Sequence, residues 1–360
     1  TFIINTIKAV HDYQDLLRAS IYNASNQHRL GANEAPPSII SVFLGTEITQ
    51  MLDLMETAVV DRKMTPDEKT ELKLNIGRIP EIILDTTDRN RTSPFAFTGN
   101  RFEYRAVGSS ANCASALIIL NAVVASQLTL FRQEVDVLIE KGVRKDEAIF
   151  QVLKRLIIES KPIRFNGNGY SQEWVEEAAR RGLTNVNNVP EALAAFMRPE
   201  YAKMLSELEI LSERELHGRV EVEYEKFTKK VQIESRVLGD LAINHIVPVS
   251  VKYMTLLLKN VKYLKEVFSP QEYEELSAGR KQLIREISTH NSTIKALVYE
   301  MTEARKKANV IEDAVEKARA YDQTVLPFME KIRYHIDKLE LVVDNEMWPL
   351  PKYRELLFVR

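Results

Sequence analysis

Apolar residues recur every third or fourth position at the start of the chain. Ile7, Val10, Tyr13, Leu17 and Ile21 share one stripe, which predicts a single amphipathic helix over residues 2–24. Pro36 and Pro37 cannot continue a helix, so the segment 26–37 ends it in a loop. An apolar pattern resumes over 38–54, and 66–75 predicts another helix. The run from Ala116 to Val124 predicts a strongly buried helix over 111–141, the run itself being far too short to span a membrane. Residues 164–171, with Gly167-Asn168-Gly169, read as a loop whose glycines make a turn; no Lys-Ser/Thr follows as a phosphate loop requires.

Between these helices the period changes from 3.6 to 2. Thr92 to Thr98 and Arg101 to Arg105 alternate about Gly99-Asn100, which predicts a β-hairpin with a two-residue turn. That register sets Phe97 opposite Phe102 and Phe95 opposite Tyr104 on one face, and puts Arg101, Glu103 and Arg105 on the other.

The longest regularity comes late. Ser269-Pro270-Gln271-Glu272 has the form of a capping box with proline in the first turn. Beyond it Ile287, Ile294, Met301, Ala308 and Val315 fall seven apart, and His290, Leu297, Ala304, Ile311 and Ala318 supply the second seam position. A heptad helix over about 270–324 is expected, ended or kinked by Pro327. Helices over 219–246 and 249–267 offer partners, so the second part is expected to be a mainly antiparallel helical bundle. Only three glycines follow residue 200 (Gly218, Gly239 and Gly279), which places a domain division there: 1–200, carrying the loops and the chemistry, and 201–360, helical.

Composition narrows the function. Forty-nine basic and 51 acidic side chains leave a formal charge of −2, which argues against a chain built to grip nucleic acid or an anionic membrane. The 45% hydrophobic content is enough for a folded core, and the single cysteine, Cys113, cannot form an internal disulfide. Next to an apolar helix, Cys113 is expected to be a small buried residue rather than a nucleophile. No signal peptide or long apolar span is visible, and the first residue is Thr1 rather than Met, so a cytoplasmic fragment is expected.

One constellation carries chemistry. Arg101, Glu103 and Arg105 set a carboxylate between two guanidiniums, and Arg89 and Arg91 lie just upstream. Arginine suits bidentate grip on carboxylate or phosphate, and a lone carboxylate among arginines suits a divalent metal bridging phosphate oxygens. The alternative is an exposed strand laced with salt bridges. The loop at Asn33-Glu34-Ala35-Pro36 is likewise either a surface turn or a mobile catalytic loop.

Several motifs together resemble a known family. His28-Arg29-Leu30-Gly31-Ala32-Asn33-Glu34-Ala35-Pro36-Pro37, Asn90-Arg91-Thr92-Ser93, and Arg101 to Arg105 followed by Ala111-Asn112 occur in the order and approximate spacing of the glutamine synthetases. The first of these resembles the type III form in particular. So do Gln232-Ile233-Glu234, Asn244 to Pro248 and the closing Leu350 to Phe358. The resemblance implies an α+β part of the antiparallel-sheet catalytic domain, followed by the helical region. It implies an ATP-dependent amide ligase that makes L-glutamine from L-glutamate and ammonia with Mg²⁺ or Mn²⁺, as a homo-oligomer of two stacked hexameric rings.

By the same resemblance Arg29 and Arg105 hold glutamate, Glu34 is a base on a closing flap, and Arg91 stabilises the transferring phosphate. Arg101 contacts the nucleotide phosphates, and Glu103 is a metal ligand. The family's small N-terminal β-grasp domain and most of its metal ligands have no counterpart in the chain, and Pro94-Phe95-Ala96-Phe97 stands where type I enzymes have another arginine. Two alternatives remain: a non-catalytic helical scaffold or regulator derived from a synthetase, and a γ-glutamyl-amine ligase with another acceptor.

Overall fold

The computed structural model describes residues 1–32, 35–57, 92–108 and 111–358. The expected helix at 66–75 lies outside them. The described chain is mostly helical with one small sheet, and forms two compact units, Thr1–Glu223 and Tyr224–Arg360. The first unit thus runs beyond the compositional shift near residue 200.

The stripe at 2–24 folds as two helices rather than one: α1 (Phe2–Asp12) and α2 (Gln14–Ile21) are separated by Tyr13 at φ −111°, ψ 25°. A short α3 (Ala24–Arg29) follows, N-capped by Asn23, whose side chain accepts from the backbone N–H of Ser25 and Asn26. After β1 (Val42–Phe43) and α4 (Thr46–Thr57), strands β2 (Phe95–Phe97) and β3 (Phe102–Tyr104) complete a three-stranded mixed sheet, β1 parallel to β2 and β2 antiparallel to β3. The loop at 164–171 is tied to it, since Phe165 donates its N–H to the Val42 carbonyl at 2.9 Å. Its turn reading holds: the Asn168 side-chain oxygen accepts from the N–H of Tyr170.

Helix α5 (Ala114–Glu140) corrects the expectation of a strongly buried helix. Ala116, Ile119, Val123, Gln127 and Phe131 face inward where α1, α2 and α6 (Lys145–Glu159) pack, but Leu117, Ile118, Leu130, Val137 and Ile139 are exposed. By length and composition α5, like the helical stretch Glu213–Val267, is apolar enough to cross a membrane, against the expectation of no such span. Its packed face is that of a core helix. Cys113, expected to be buried, is exposed at the start of α5.

Helices α7 (Gln172–Arg180), α8 (Val189–Leu193), α9 (Pro199–Glu207) and α10 (Glu213–Asp240) lead into the second unit. There α11 (Val247–Val267) and α14 (Leu326–Val342) both pack on the long α12 (Pro270–Asn309). Ser269 and Glu272 form the expected capping box, and Ile287, Ile294, Met301 and Ala308 are buried along one seam. The heptad helix does not run to 324. It stops at Asn309, and Asp313 N-caps a separate α13 (Ala314–Ala320) by accepting from the N–H of Glu316. Pro327 sits in the first turn of α14, where a missing N–H costs nothing, so it starts a helix rather than ending one. The basic pairs Lys229-Lys230 and Lys306-Lys307 lie on solvated helix faces, with Lys229 paired to Glu225 and Lys306 to Glu303.

The second seam position is not apolar throughout. His290 on α12 and His335 on α14 meet with their Nδ1 atoms 2.8 Å apart, so one ring donates and the other accepts. Burial, then the neighbouring His290, pushes the His335 imidazolium below its ordinary value. The charged groups nearby on α14 are turned to other partners: Arg333 pairs with Asp337, and Lys338 lies over Tyr334. The unfolded chain therefore binds more protons near pH 6 than the native one, and the stability held above about pH 6.5 falls as the pH drops through the folded value. Urea midpoints at pH 7 and pH 5 test this. The drop is expected to shrink in His335→Leu, and an unchanged drop would remove the pair as its cause.

Candidate functional site

The hairpin forms in the expected register: Phe95 pairs with Tyr104, Ala96 with Glu103 and Phe97 with Phe102. Gly99 in the turn has φ +96°, a left-handed value that a side chain resists, and Thr98 donates its N–H to the Arg101 carbonyl at 2.9 Å. On the aromatic face Phe95 stacks on Phe102 with centroids 5.0 Å apart and meets Tyr104 edge-on at 5.9 Å. The Tyr104 hydroxyl donates to the Leu17 carbonyl at 2.9 Å, and burial holds its phenol well above the ordinary value. The sheet is thereby stitched to α2.

The opposite face presents the charged set. Glu103 Oε1 lies 3.5 Å from Arg101 Nε, and its Oε2 accepts from Arg105 Nε and an Arg105 terminal nitrogen, both at 3.3 Å. Arg101 is mostly exposed, its side chain 70% accessible, against 19% for Arg105. The salt-bridge lacing is thus real, and it leaves two guanidiniums of unequal exposure around one carboxylate.

Arg29 closes α3 and turns toward the same place. Its Nε donates to Asn26 Oδ1 at 3.0 Å, and one terminal nitrogen donates to the Ala106 carbonyl at 3.2 Å. Ala106 belongs to the 3₁₀ turn Arg105–Val107 that follows β3, so Arg29 and the Arg105 turn are brought together from positions far apart in sequence. The loop after Arg29 is pinned at its base: Leu30 and Ala35 form a β-bridge, and Gly31 donates to the Pro36 carbonyl at 3.0 Å. Glu34 and Arg91 lie outside the described residues.

As a metal donor set the described residues are incomplete. Glu103 offers one carboxylate, and no group of three or more His, Cys, Asp or Glu able to hold an ion exists among them. Asn26 escaped the sequence reading. Its signal is local: it stands three residues before Arg29, on the same face of α3.

Comparison with known proteins shows which class the chain resembles. Residues 148–265 match the glutamine synthetase C-terminal domain family. More particularly, the chain is 62% identical over 360 residues to a glutamine synthetase of Bacteroides fragilis (strain YCH46), a match covering 100% of this chain and 49% of that protein. It is 35% identical over 361 residues to the type-3 glutamine synthetase of Dictyostelium discoideum, covering 100% of this chain and 48% of the relative. With the glutamine synthetase of Butyrivibrio fibrisolvens it shares 31% over 362 residues, covering 99% and 49%. The chain spans about half the length of these curated relatives, and over that span it is homologous to glutamine synthetases, a type-3 form among them.

Proposed function

We propose that this chain supplies part of the active site of an ATP-dependent ligase that makes L-glutamine from L-glutamate and ammonia. The observation that carries the reading is the likeness, over all of this chain and 49% of the relative, at 62% identity to a protein named glutamine synthetase. In the reaction the γ-carboxylate of glutamate takes the γ-phosphoryl group of ATP, ADP leaves, and ammonia attacks the acyl carbon and expels phosphate. Mg²⁺ or Mn²⁺ would neutralise phosphate charge when bound, with Glu103 as one donor and the remaining ligands outside the described residues.

The chain's own residues bind and orient. Arg29, held on the Ala106 carbonyl, and Arg105, bonded to Glu103 from the same turn, hold the substrate's carboxylate, for which paired guanidiniums are suited. Arg101, exposed at the turn, reaches the nucleotide phosphates. Glu34 takes a proton from ammonium, and Arg91 steadies the transferring phosphate. The helical unit forms a mainly antiparallel bundle, as the two-residue link between α11 and α12 favours, and the protein assembles as two stacked hexameric rings in the cytoplasm.

The test is product formation by the full-length protein supplied with L-glutamate, ammonium, ATP and Mg²⁺ or Mn²⁺. Glutamine and phosphate are expected in equal amounts. ATP cleavage only with larger amines would point to a γ-glutamyl-amine ligase, and no ATP cleavage at all would end the ligase reading.

A further inference from the structure

The side-chain amide of Asn26 sits at the junction of three elements and is only 4% exposed. Its Oδ1 accepts from Arg29 Nε at 3.0 Å, while its Nδ2 donates to the Ile21 carbonyl at the end of α2 and to the Ala106 carbonyl, each at 2.8 Å. The chemistry admits one orientation of the amide. Flipped, its NH₂ would confront the Nε–H of Arg29, and its oxygen would confront two carbonyls. Ala106 in turn accepts from both Asn26 and Arg29. One carbonyl and one amide therefore fix the Arg29 guanidinium and the turn from which Arg105 departs.

Gly108 fits this closure. It has φ +90°, and a Cβ there would lie 3.6 Å from Asn26 Oδ1 and 3.9 Å from Arg29 Nε. Among the described residues two bonds hold Arg29, through Nε and one terminal nitrogen, and the other terminal nitrogen is the one offered to an anion. An arginine side chain has many rotamers to lose, so one held before its ligand arrives binds at a smaller ordering cost.

We propose that Asn26 is a positioning residue for substrate binding, which presets Arg29 and the Arg105 turn to receive the carboxylate of the amino-acid substrate. This rests on the ligase reading for the identity of that substrate. In the full-length protein, Asn26→Ala is expected to raise the KM for glutamate by about tenfold while the KM for ATP stays within about twofold. In an Arg29→Ala background the same change is expected to add little, because the two residues act as one unit. Asn26→Asp keeps the volume and the acceptor for Arg29 but loses both donors, and it is expected to fall between wild type and Asn26→Ala.

A readout independent of turnover is the rate at which phenylglyoxal modifies Arg29, followed by peptide mass spectrometry. It is expected to rise several-fold in Asn26→Ala and, should that variant fail to fold, in Asn26→Asp. An unchanged modification rate with unchanged glutamate KM overturns the proposal, as does an equal rise in both KM values. If Arg29→Ala leaves the glutamate KM normal while the modification rate still rises in the Asn26 variants, the ligase assignment of Arg29 fails and its positioning by Asn26 stands.

Discussion

On the proposed ligase reading, in which Glu103 is a metal donor, replacing it with glutamine in the full-length protein is expected to lower glutamine formation by on the order of a hundredfold. The fold is expected to survive. Glu103 stands on the outer face of β3 with its side chain 30% accessible, and its partner Arg101 is 70% accessible, so the ion pairs it forfeits are worth about 1 kcal/mol or less. Glutamine keeps the shape and an oxygen acceptor for Arg105 but removes the one negative charge between two guanidiniums. Positive potential on that face rises, which by itself favours phosphate. The expected signature is therefore a turnover loss without a raised KM for ATP and with a raised requirement for Mg²⁺ or Mn²⁺. Steady-state kinetics at several metal concentrations, beside a thermal unfolding curve, would show it. Turnover within about twofold of wild type would take Glu103 out of the chemistry.

What was legible in the sequence is what short-range physics decides. The hairpin announces itself through strict alternation on either side of Gly99-Asn100, and its register follows because a one-residue slip would turn Phe95 and Tyr104 outward. The capping box at Ser269 and Glu272 is read the same way, since both bonds close within four residues. Spacing alone misled where a pattern continues across a break. Ile311, Val315 and Ala318 keep the seven-residue count although the helix has ended at Asn309, and the corrective signal was Asp313 three residues before Glu316, a second helix start. Tyr13 gave no warning, because neither glycine nor proline marks it. The break arises where α1 packs on α5 and α6 while α2 turns to α5 and α8.

The site divides along the same line. Arg101, Glu103 and Arg105 share a strand face and its continuation, so a period of two finds them. The link from Arg29 through Asn26 to the Ala106 carbonyl joins residues 77 and 80 positions apart, and no local pattern encodes it. Burial was the other blind spot. The apolar run in α5 marks a helix but cannot say that Leu117 and Ile118 are exposed while Ile119 is buried.

The largest loss of stability is expected from Arg18→Met in the first unit, about 3–5 kcal/mol, the usual result of breaking a buried ion pair from one side. Arg18 is 1% exposed and engaged through all three nitrogens: Nε donates to the Ser38 carbonyl at 2.7 Å, one terminal nitrogen pairs with Asp15 at 2.6 Å, and the other donates to the Thr184 carbonyl at 2.5 Å. Methionine matches the stem, so little cavity opens, but two carbonyls lose a donor and the Asp15 carboxylate loses one of its two guanidiniums. Asp15 makes the effect pH-dependent. Burial pushes its carboxyl up, yet the Thr184 hydroxyl, Arg18 and Arg198 together hold it below the ordinary value. Its contribution is present above about pH 4 and lost as the pH falls through the folded value. Without Arg18 the burial effect gains weight and that folded value rises, so acid unfolding should begin at higher pH than in wild type. Urea titrations at pH 7, with an acid titration followed by circular dichroism, measure both parts. A loss under about 1 kcal/mol would mean that Arg198 takes over the carboxylate, its guanidinium being already 2.7 Å from the second oxygen of Asp15.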